Sequence, residues 1–424
     1  ANPEAAQQFE RAIEASRGVE EASDDDVREL WVKLGDVRER LGEFDASLQA
    51  YRRASALTEG DPAARADVVL KRARAKERAG RYSAALAEAT RARKVAEEAG
   101  LDRVRARALG QAAILRQAQQ RPEDAMKAAR TAIAAAEAIG DEVGLARAYS
   151  VLDYALVMTG DLAGATNSQT SLEIYRRLGM AEDEARIAPN LGAYEYWRGN
   201  WNQALRLYEE GRATLERLGN VVDAAHTAAN IGEVLVNQGR FDEAEEPLMT
   251  ARRTYAASGF GEGLAFVDVL IGRMHGLRGD LDAADSSLRS AIDESRALGL
   301  DASTLEASVH LADAACRAGS PERGLAILAE AEAEAPDTYA DYYAPLIARI
   351  RGSILDSAGR TDASREVLEL GRSMAAERGE PYEEALLILT LARIDAAGVD
   401  ADEQSRAREM LRTLGVRSIP GIDL

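Results

Sequence analysis

The chain has 424 residues, a formal net charge of −19, one cysteine and 5% aromatic residues. So negative a charge argues against a general nucleic-acid binder, and the single cysteine, Cys316, excludes an internal disulfide framework and favours a reducing compartment. No apolar run approaches the ~20 residues of a membrane-spanning helix. We therefore expect a cytoplasmic protein that binds neither membrane nor nucleic acid.

The first residues predict one amphipathic helix, because Ala5, Phe9 and Ala12 follow one another at helical spacing within residues 3–15. These residues fit the second helix of a helical hairpin whose first helix is absent. Residues 1–27 are therefore interpreted as the second helix of a truncated repeat plus a linker. A half repeat lacks its apolar partner, so we expect the chain to be a piece of a longer protein.

Two series of turn signals divide residues 28–415 into helical hairpins. The first series recurs every 38 to 40 residues, at positions 42, 80, 120, 160, 199, 239, 279, 319, 359 and 398, with glutamine instead of glycine at 120. The second falls about halfway between, at Gly60, Gly100, Gly140, Gly179, Gly219, Gly259, Gly299, Gly379 and Gly415. This double period predicts an all-α solenoid of about ten tandem hairpins, each of ~40 residues, followed by a tail at 416–424.

Small and large residues alternate across each turn in a way that predicts close helix packing. A small residue lies seven positions before most turns, and a larger residue often lies nine positions after them. The small set is Gly35, Ala73, Ala113, Gly192, Gly232, Gly272, Ala312 and Gly352, and the large set is Tyr51, Tyr208, Leu248, Leu288, Leu328 and Leu368. Two further positions are irregular. Asp153 occupies a small-residue position, which is interpreted either as a local irregularity or as a functional site. Pro336 stands in a linker where glycine is expected.

The first complete repeat carries Trp31, Leu34 and Gly35, then Ser47, Tyr51 and Ala54. This order resembles the W-x2-L-G then A-x3-F/Y-x2-A pattern of the tetratricopeptide repeat family, in a longer form of about 40 residues. The resemblance implies a right-handed superhelix of stacked hairpins. It also implies a concave face, formed by the first helix of each hairpin, that binds peptides or proteins.

The sequence gives no support for catalysis. The three histidines, His226, His275 and His310, have no cysteine or glutamate at metal-ligand spacing, and no P-loop, dinucleotide-binding or G-x-S-x-G motif is present. We therefore predict no catalytic residue, no metal and no cofactor.

Projection of the concave face onto the sequence selects a set of candidate ligand-binding residues. Asn190 and Asn230 occupy equivalent positions and could hold a peptide backbone, although asparagine is common there whatever the family member binds. Tyr154, Tyr196 and Trp197 are either recognition anchors or packing residues. The predicted site residues are Arg107, Gln111, Arg147, Tyr154, Arg186, Asn190, Tyr196, Trp197, Asn230 and Asn237, and Lys33, Lys71, Arg74 and Arg78 extend the face towards the N-terminus.

Residues 29–54 and 408–420 resemble the C-terminal repeat regions of bacterial signalling proteins. These include actinobacterial adenylate/guanylate cyclases and signal-transducing ATPase regulators. The resemblance implies a non-enzymatic regulatory region that binds a protein, a peptide or a small effector and acts on upstream domains of the same polypeptide. Two alternatives stay open: a free-standing cytosolic scaffold or peptide receptor, and an enzyme whose site is assembled from separate repeats.

Overall fold

The helical spacing of the apolar residues produces helices along the whole described chain. A computed structural model describes residues 2–16, 22–119, 121–159, 161, 164–395 and 398–422. These described residues form twenty-two α-helices and no β-strand. The predicted all-α fold of stacked helical hairpins is thus confirmed, whereas the predicted turns at Gln120 and Gly160 lie outside the described residues. No described helix combines the length and apolar character needed to cross a bilayer.

The helices follow one another in hairpins of a first and a second helix. In chain order they are α1 Asn2–Ser16, α2 Asp24–Arg40, α3 Phe44–Ser55, α4 Pro62–Arg78, α5 Tyr82–Glu98, α6 Asp102–Ala118, α7 Pro122–Ile139, α8 Glu142–Met158, α9 Ser168–Arg177, α10 Ala181–Trp197, α11 Trp201–Arg217, α12 Val221–Asn237, α13 Phe241–Ser258, α14 Gly261–Arg278, α15 Leu281–Leu298, α16 Asp301–Arg317, α17 Pro321–Glu334, α18 Asp337–Tyr342, α19 Ala344–Ser357, α20 Thr361–Arg378, α21 Pro381–Ile394 and α22 Ala401–Thr413.

The chain divides into two compact units. The first unit comprises Ala1–Tyr194, Leu207–Thr227 and Thr254–Phe260, and the second comprises Glu195–Arg206, Ala228–Arg253 and Gly261–Leu424. Inside the first unit, α4 packs on α5 and on the next first helix, α6, which in turn packs on α8. Inside the second unit, α14 packs in the same way on α15 and α16, and α19 packs on α20 and α21. First helices therefore stack on first helices within each unit.

Most hairpin turns use a left-handed glycine. After α12, Gly239 has a φ of 70°, the N–H of Gly239 bonds to the Val236 carbonyl, and the N–H of Arg240 bonds to the Leu235 carbonyl. This Schellman arrangement satisfies carbonyls that the helix end would otherwise leave unpaired. The last predicted turn differs, because Gly398 is absent from the left-handed glycines; there α21 ends at Ile394 and α22 begins at Ala401.

In five hairpins the two helices approach so closely that a side chain in place of the glycine between them would clash. A methyl group on Gly35 would lie less than 3.0 Å from the Tyr51 ring, and the Ser47 hydroxyl donates a hydrogen bond of 2.9 Å to the Gly35 carbonyl. Equivalent crowding by the large partner occurs at the four other glycines of this position: Gly192, Gly232, Gly272 and Gly352. The interlocking that the sequence pattern predicts is therefore present at these hairpins.

The hairpin of α8 and α9 is irregular, and Asp153 has a structural role in it. The Asp153 side chain is fully buried and accepts hydrogen bonds from the Asn167 side chain (2.8 Å) and the Ser168 backbone N–H (2.6 Å). Ser168 is the first residue of α9, so the carboxylate satisfies a backbone donor at a helix N-terminus. Asp153 thus finds partners inside the hairpin.

The other departure, Pro336, adds a helix. Pro336 precedes the six-residue helix α18, and α19 begins only two residues after α18 ends. Proline has no N–H to donate and favours a helix start, so the linker forms a short helix before the first helix of the next hairpin.

Replacing Gly35 by alanine tests the close approach. We expect Gly35→Ala to lower the free energy of unfolding by about 1–3 kcal/mol, because the added methyl group overpacks the hairpin against Tyr51. Urea unfolding followed by circular dichroism measures the change.

Gly110 is the matched control, since it lies within α6 and a methyl group there would contact nothing within 4 Å. Gly110→Ala should be neutral or stabilising by up to about 1 kcal/mol, because alanine favours helix more than glycine. Equal changes from both variants would contradict close packing at Gly35, because helix propensity alone would stabilise both.

Candidate functional site

A cavity of about 590 Å³ lies in the first unit. The first helices of successive hairpins supply most of its wall, with residues from α4, α6, α8, α10 and α12. This face of the first unit is therefore concave. Its lining residues are Arg74, Glu77, Arg78, Arg103, Ala106, Arg107, Gly110, Gln111, Ile114, Gly140, Asp141, Glu142, Val143, Gly144, Arg147, Leu178, Arg186 and Asp223. We call this site the arginine-lined cavity.

Positive charge exceeds negative charge on the wall of the arginine-lined cavity. Six of the lining residues are arginine and four are aspartate or glutamate. Guanidinium groups match the geometry of carboxylates and phosphates, so the partners that each arginine of the wall already has determine what else it can bind.

The predicted site residues of the first unit pair with polar residues one repeat away. Arg107 lies 2.7 Å from a carboxylate oxygen of Asp67, and Arg147 lies 3.0 Å from one of Asp183. Gln111 donates a hydrogen bond of 2.8 Å to Glu77. These partners are 40, 36 and 34 residues apart in sequence, so each contact links the first helices of neighbouring hairpins.

The most buried of these contacts centre on Glu39, whose side chain is 1% exposed. Arg74 lies 2.8 Å and Arg78 lies 3.3 Å from its carboxylate. Burial acts to raise the pKa of Glu39, but the two guanidinium groups outweigh it and hold that pKa below its usual value. The carboxylate therefore stays ionised inside the unit.

Arg78 also joins residues that are far apart in sequence. It donates hydrogen bonds of 2.8 Å to Asn220 and 2.9 Å to Asp223, which are 142 and 145 residues away. Arg186 reaches the same Asp223 carboxylate at 3.1 Å. Burial would raise the pKa of Asp223, yet Arg78 and Arg186 lower it well below its usual range. Asp223 is thus an ionised carboxylate on the cavity wall that two arginines already neutralise.

Arg103 differs from the other arginines of the wall. Its side chain is exposed, and it forms no hydrogen bond or ion pair with any residue that the structure describes. A ligand can therefore bind Arg103 without displacing an internal partner. The sequence projection missed Arg103, because it lies in the first turn of α6, one turn before Arg107.

In the second unit, Tyr196 is part of a packed aromatic cluster. Its ring stacks on Trp201 with 5.3 Å between centroids, and Trp201 contacts Tyr382 at 5.0 Å. Trp201 is 3% exposed and donates its indole N–H to the Tyr196 carbonyl at 3.0 Å. The ring of Tyr196 is therefore packed against other aromatic rings, and its hydroxyl is the part of the side chain that makes polar contacts.

The Tyr196 hydroxyl belongs to a hydrogen-bond chain through three successive first helices. Arg273 donates to the Asn237 side-chain oxygen, and Asn237 donates to the Tyr196 hydroxyl at 2.7 Å. Tyr196 donates in turn to Glu233 at 3.4 Å. Asn237 is 3% exposed and uses both ends of its amide in this chain, so it holds the cluster together.

Two carboxylates, Glu233 and Glu306, face the same region of the second unit. Burial raises the pKa of Glu233, the charge of Glu306 raises it further, and the result is about 7. Burial also raises the pKa of Glu306, which accepts a hydrogen bond of 3.0 Å from Tyr343. We call Tyr196, Glu233, Asn237, Arg273, Glu306, His310 and Tyr343 the second-unit polar cluster.

The remaining predicted site residues fall in both units. Asn190 is half-buried in the first unit and Asn230 is half-buried in the second; neither side chain forms a hydrogen bond with a described residue. Tyr154 and Trp197 are half-buried on α8 and at the end of α10. Among the described residues, no group of three or more His, Cys, Asp and Glu side chains is placed to hold a metal ion.

The acidic partners were missed in the sequence, although a signal for them exists. Asp36 pairs with Lys71 and Glu39 with Arg74, each across 35 residues, and Arg349 pairs with Glu383 across 34 residues. Opposite charges on predicted first helices, separated by slightly less than one repeat, would have indicated these pairs.

Comparison with known proteins supports the repeat interpretation. Tetratricopeptide repeat models match residues 29–61 and 183–257. These two segments are therefore tetratricopeptide repeats, as the sequence pattern predicts. No curated relative matches the chain.

Several solved structures are similar to this chain. The Rap conjugation gene regulator of plasmid pLS20 in complex with the Phr* peptide has 18% identity and a TM-score of 0.49, over 70% of this chain and 81% of that chain. A signal transduction ATPase with a tetratricopeptide repeat sensor from Pyrococcus horikoshii has 14% identity and a TM-score of 0.48, over 93% of this chain and 54% of that chain. The apo form of RapI has 16% identity and a TM-score of 0.45, over 64% of this chain and 98% of that chain. At this level of similarity, none of them bears on what this chain binds.

Removal of the Glu39 carboxylate tests the buried ion pairs. We expect Glu39→Gln to lower the free energy of unfolding by about 1.5–3 kcal/mol, because its charge-assisted hydrogen bonds with Arg74 and Arg78 are lost. The loss is smaller than for an isolated buried pair, since Arg74 is 37% exposed and Arg78 keeps Asp223 as a partner. Glu142→Gln is the control, since its ion pair with Arg177 is 48% and 57% exposed and should contribute nothing measurable. Equal effects in urea unfolding would contradict a special role for Glu39.

The raised pKa of Glu233 predicts a pH-dependent stability. A carboxyl group whose pKa is higher in the folded than in the unfolded chain destabilises the fold as pH rises from about 4.5 to about 7. Glu233→Gln should therefore be more stable than the parent by about 1–3 kcal/mol at pH ~8 and no more stable at pH ~4. With Trp31 replaced by phenylalanine, the fluorescence of Trp197 and Trp201 during urea unfolding reports on the second unit.

Glu369→Gln is the control for that measurement, because Glu369 is exposed on α20. Its stability should follow the parent at every pH. If Glu233→Gln also follows the parent, the Glu233 carboxyl group does not titrate near neutrality.

Proposed function

We propose that this chain is a non-enzymatic binding region that takes an acidic segment of a protein or peptide into the arginine-lined cavity. The tetratricopeptide repeats at 29–61 and 183–257 support a role in protein interaction. The excess of arginine over acidic residues on the cavity wall supports a negatively charged ligand. The observation that carries the proposal is Arg103, a cationic wall residue with no partner among the described residues.

The size of the arginine-lined cavity fits a short segment. Its volume of about 590 Å³ lies within the range of roughly 300–1,000 Å³ that small-ligand sites occupy. A cavity of that volume holds a few residues in extended form, with one or two acidic side chains. The partner is therefore a flexible loop, a chain terminus or a free peptide.

The internal ion pairs prepare the wall for such a ligand. Arg107 and Arg147 are held in place by Asp67 and Asp183, so their guanidinium groups lose little conformational freedom when a ligand binds. A rigid wall of this kind provides binding energy at low entropic cost.

We further propose that occupancy of the arginine-lined cavity regulates catalytic domains of a larger bacterial signalling protein, in the cytoplasm. The resemblance of residues 29–54 and 408–420 to the repeat regions of cyclases and signal-transducing ATPases supports this context. The sequence of the gene upstream of residue 1 tests it. An open reading frame without a cyclase or ATPase domain would favour the alternative of a free-standing scaffold or peptide receptor.

Arg103→Gln tests the acidic-segment proposal. The probe is a fluorescein-labelled, capped hexapeptide of alternating alanine and glutamate, measured by fluorescence anisotropy. We expect Arg103→Gln to weaken its binding by about tenfold or more, because one charge-assisted hydrogen bond of about 1.5–3 kcal/mol is lost.

Arg105→Gln is the matched control, since Arg105 lies on the same helix, pairs with Asp102 and does not line the cavity. It should leave the affinity unchanged, and a peptide with glutamine in place of glutamate should not bind. Equal weakening by both arginine variants would indicate general charge attraction, and absence of binding would contradict the proposal.

A further inference from the structure

The second-unit polar cluster contains two carboxylates that lack a cationic partner. Glu233 accepts a hydrogen bond from the Tyr196 hydroxyl at 3.4 Å, and Glu306 accepts one from the Tyr343 hydroxyl at 3.0 Å. Neither forms an ion pair with a lysine or arginine in the part of the chain that the structure describes. This differs from Glu39 and Asp223 of the first unit, whose carboxylates lie against arginines.

Arg273 supplies the guanidinium group of the cluster, but its hydrogen bond goes to Asn237 and not to either carboxylate. It donates to the side-chain oxygen of Asn237, while its charge acts on both Glu233 and Glu306. One guanidinium near two carboxylates leaves a net negative charge when both are ionised. A second positive charge would therefore be stabilised in this cluster.

The ring of His310 gives independent evidence for a ligand in this cluster, because one of its nitrogens is buried without a hydrogen-bond partner in the described part of the chain. Its side chain is 7% exposed, and its Nε2 atom lies 3.9 Å from a Glu306 oxygen without a hydrogen-bond partner among the described residues. Burial and the nearby charge of Arg273 hold the pKa of His310 well below its usual value, so the ring is neutral. Buried polar atoms in proteins normally have a hydrogen-bond partner. The unpaired nitrogen of His310 lies next to the carboxylate of Glu306, so a ligand at this carboxylate would also be within its reach.

We propose that the second-unit polar cluster binds a protonated amine or guanidinium, between the carboxylates of Glu233 and Glu306 and beside His310. An ammonium or guanidinium group carries several N–H donors, which matches two carboxylates with unused acceptor positions. The source is either a lysine or arginine side chain of a peptide or a free polyamine. This site is independent of the arginine-lined cavity, because it uses other residues and selects the opposite charge.

Binding of a cation to this cluster depends on pH. The groups that face Glu233 are Tyr196 from α10, Arg273 from α14 and Glu306 from α16. With a pKa of about 7, Glu233 is largely protonated below neutrality and ionised above it. A cation favours the ionised form, so its affinity rises as pH rises through about 7 and protons are released on binding.

Isothermal titration calorimetry at pH ~6 and pH ~8, in two buffers of different ionisation enthalpy, tests the site. The probes are spermidine and a capped alanine pentapeptide with a central arginine, and the same peptide with glutamine is the control. We expect about tenfold tighter binding of the cationic probe at the higher pH, with release of protons. The glutamine peptide should not bind.

Two variants locate the site, and one controls for charge. Glu233→Gln should abolish the pH dependence, and both Glu233→Gln and Glu306→Gln should weaken binding by about tenfold at pH ~8. Glu369→Gln changes the net charge equally, lies outside the cluster and should bind like the parent. Circular dichroism and urea unfolding establish that each variant is folded.

The outcomes separate the two sources of the cation. Binding of the peptide but not of spermidine assigns the site to a basic side chain, and the reverse assigns it to a polyamine. Binding of neither probe overturns the proposal. So does binding that Glu233→Gln and Glu306→Gln leave unchanged, because the cation would then occupy another surface.

Discussion

The close approach of the two helices, seen at the five hairpins with a glycine between them, is the constraint on which the rest of the structure depends. A glycine on the first helix receives a large side chain from the second, as Gly35 receives Tyr51 and Gly352 receives Leu368. Because the large side chain fills the space over the glycine, the two helices pack at one distance and in one register. First helices can then stack on first helices, and only then do charges one repeat apart come within hydrogen-bond distance.

That stacking has different electrostatic results in the two units. In the first unit, the buried Glu39 and the half-buried Asp223 lie next to arginines, which lower the pKa of both carboxyl groups. In the second unit, the half-buried Glu233 and Glu306 form no ion pair with a described lysine or arginine, and desolvation raises the pKa of both. The same helical scaffold therefore supports one wall on which arginines outnumber acidic residues and one cluster whose carboxylates form no ion pair with a described lysine or arginine. The difference comes from a few side chains on first helices.

The sequence predicts the fold, and it places several residues of the candidate site on the correct face of their helices. Glycine spacing predicts the hairpins because turn geometry is local, and small residues predict the interlocking because it recurs in each repeat. The same projection placed Arg107 and Arg147 on the concave face. It could not find their partners Asp67 and Asp183, because a helical projection gives the face of a residue but not its distance to the next hairpin. The projection could not identify Tyr196 as a packing residue for the same reason. Its ring stacks on Trp201, which packs against Tyr382, a residue far along the chain.

The strength of the internal ion pairs decides which arginines a ligand can use. Breaking a buried pair costs about 3–5 kcal/mol, whereas one charge-assisted hydrogen bond to a ligand returns about 1.5–3 kcal/mol. Arg78, which is 9% exposed and shared by Glu39 and Asp223, is therefore unavailable. Arg107 and Asp67 are 39% and 35% exposed, and an exposed pair contributes only about 0–1 kcal/mol. A ligand carboxylate thus gains most by binding Arg103 and sharing Arg107, while the buried pairs around Glu39 keep the wall intact.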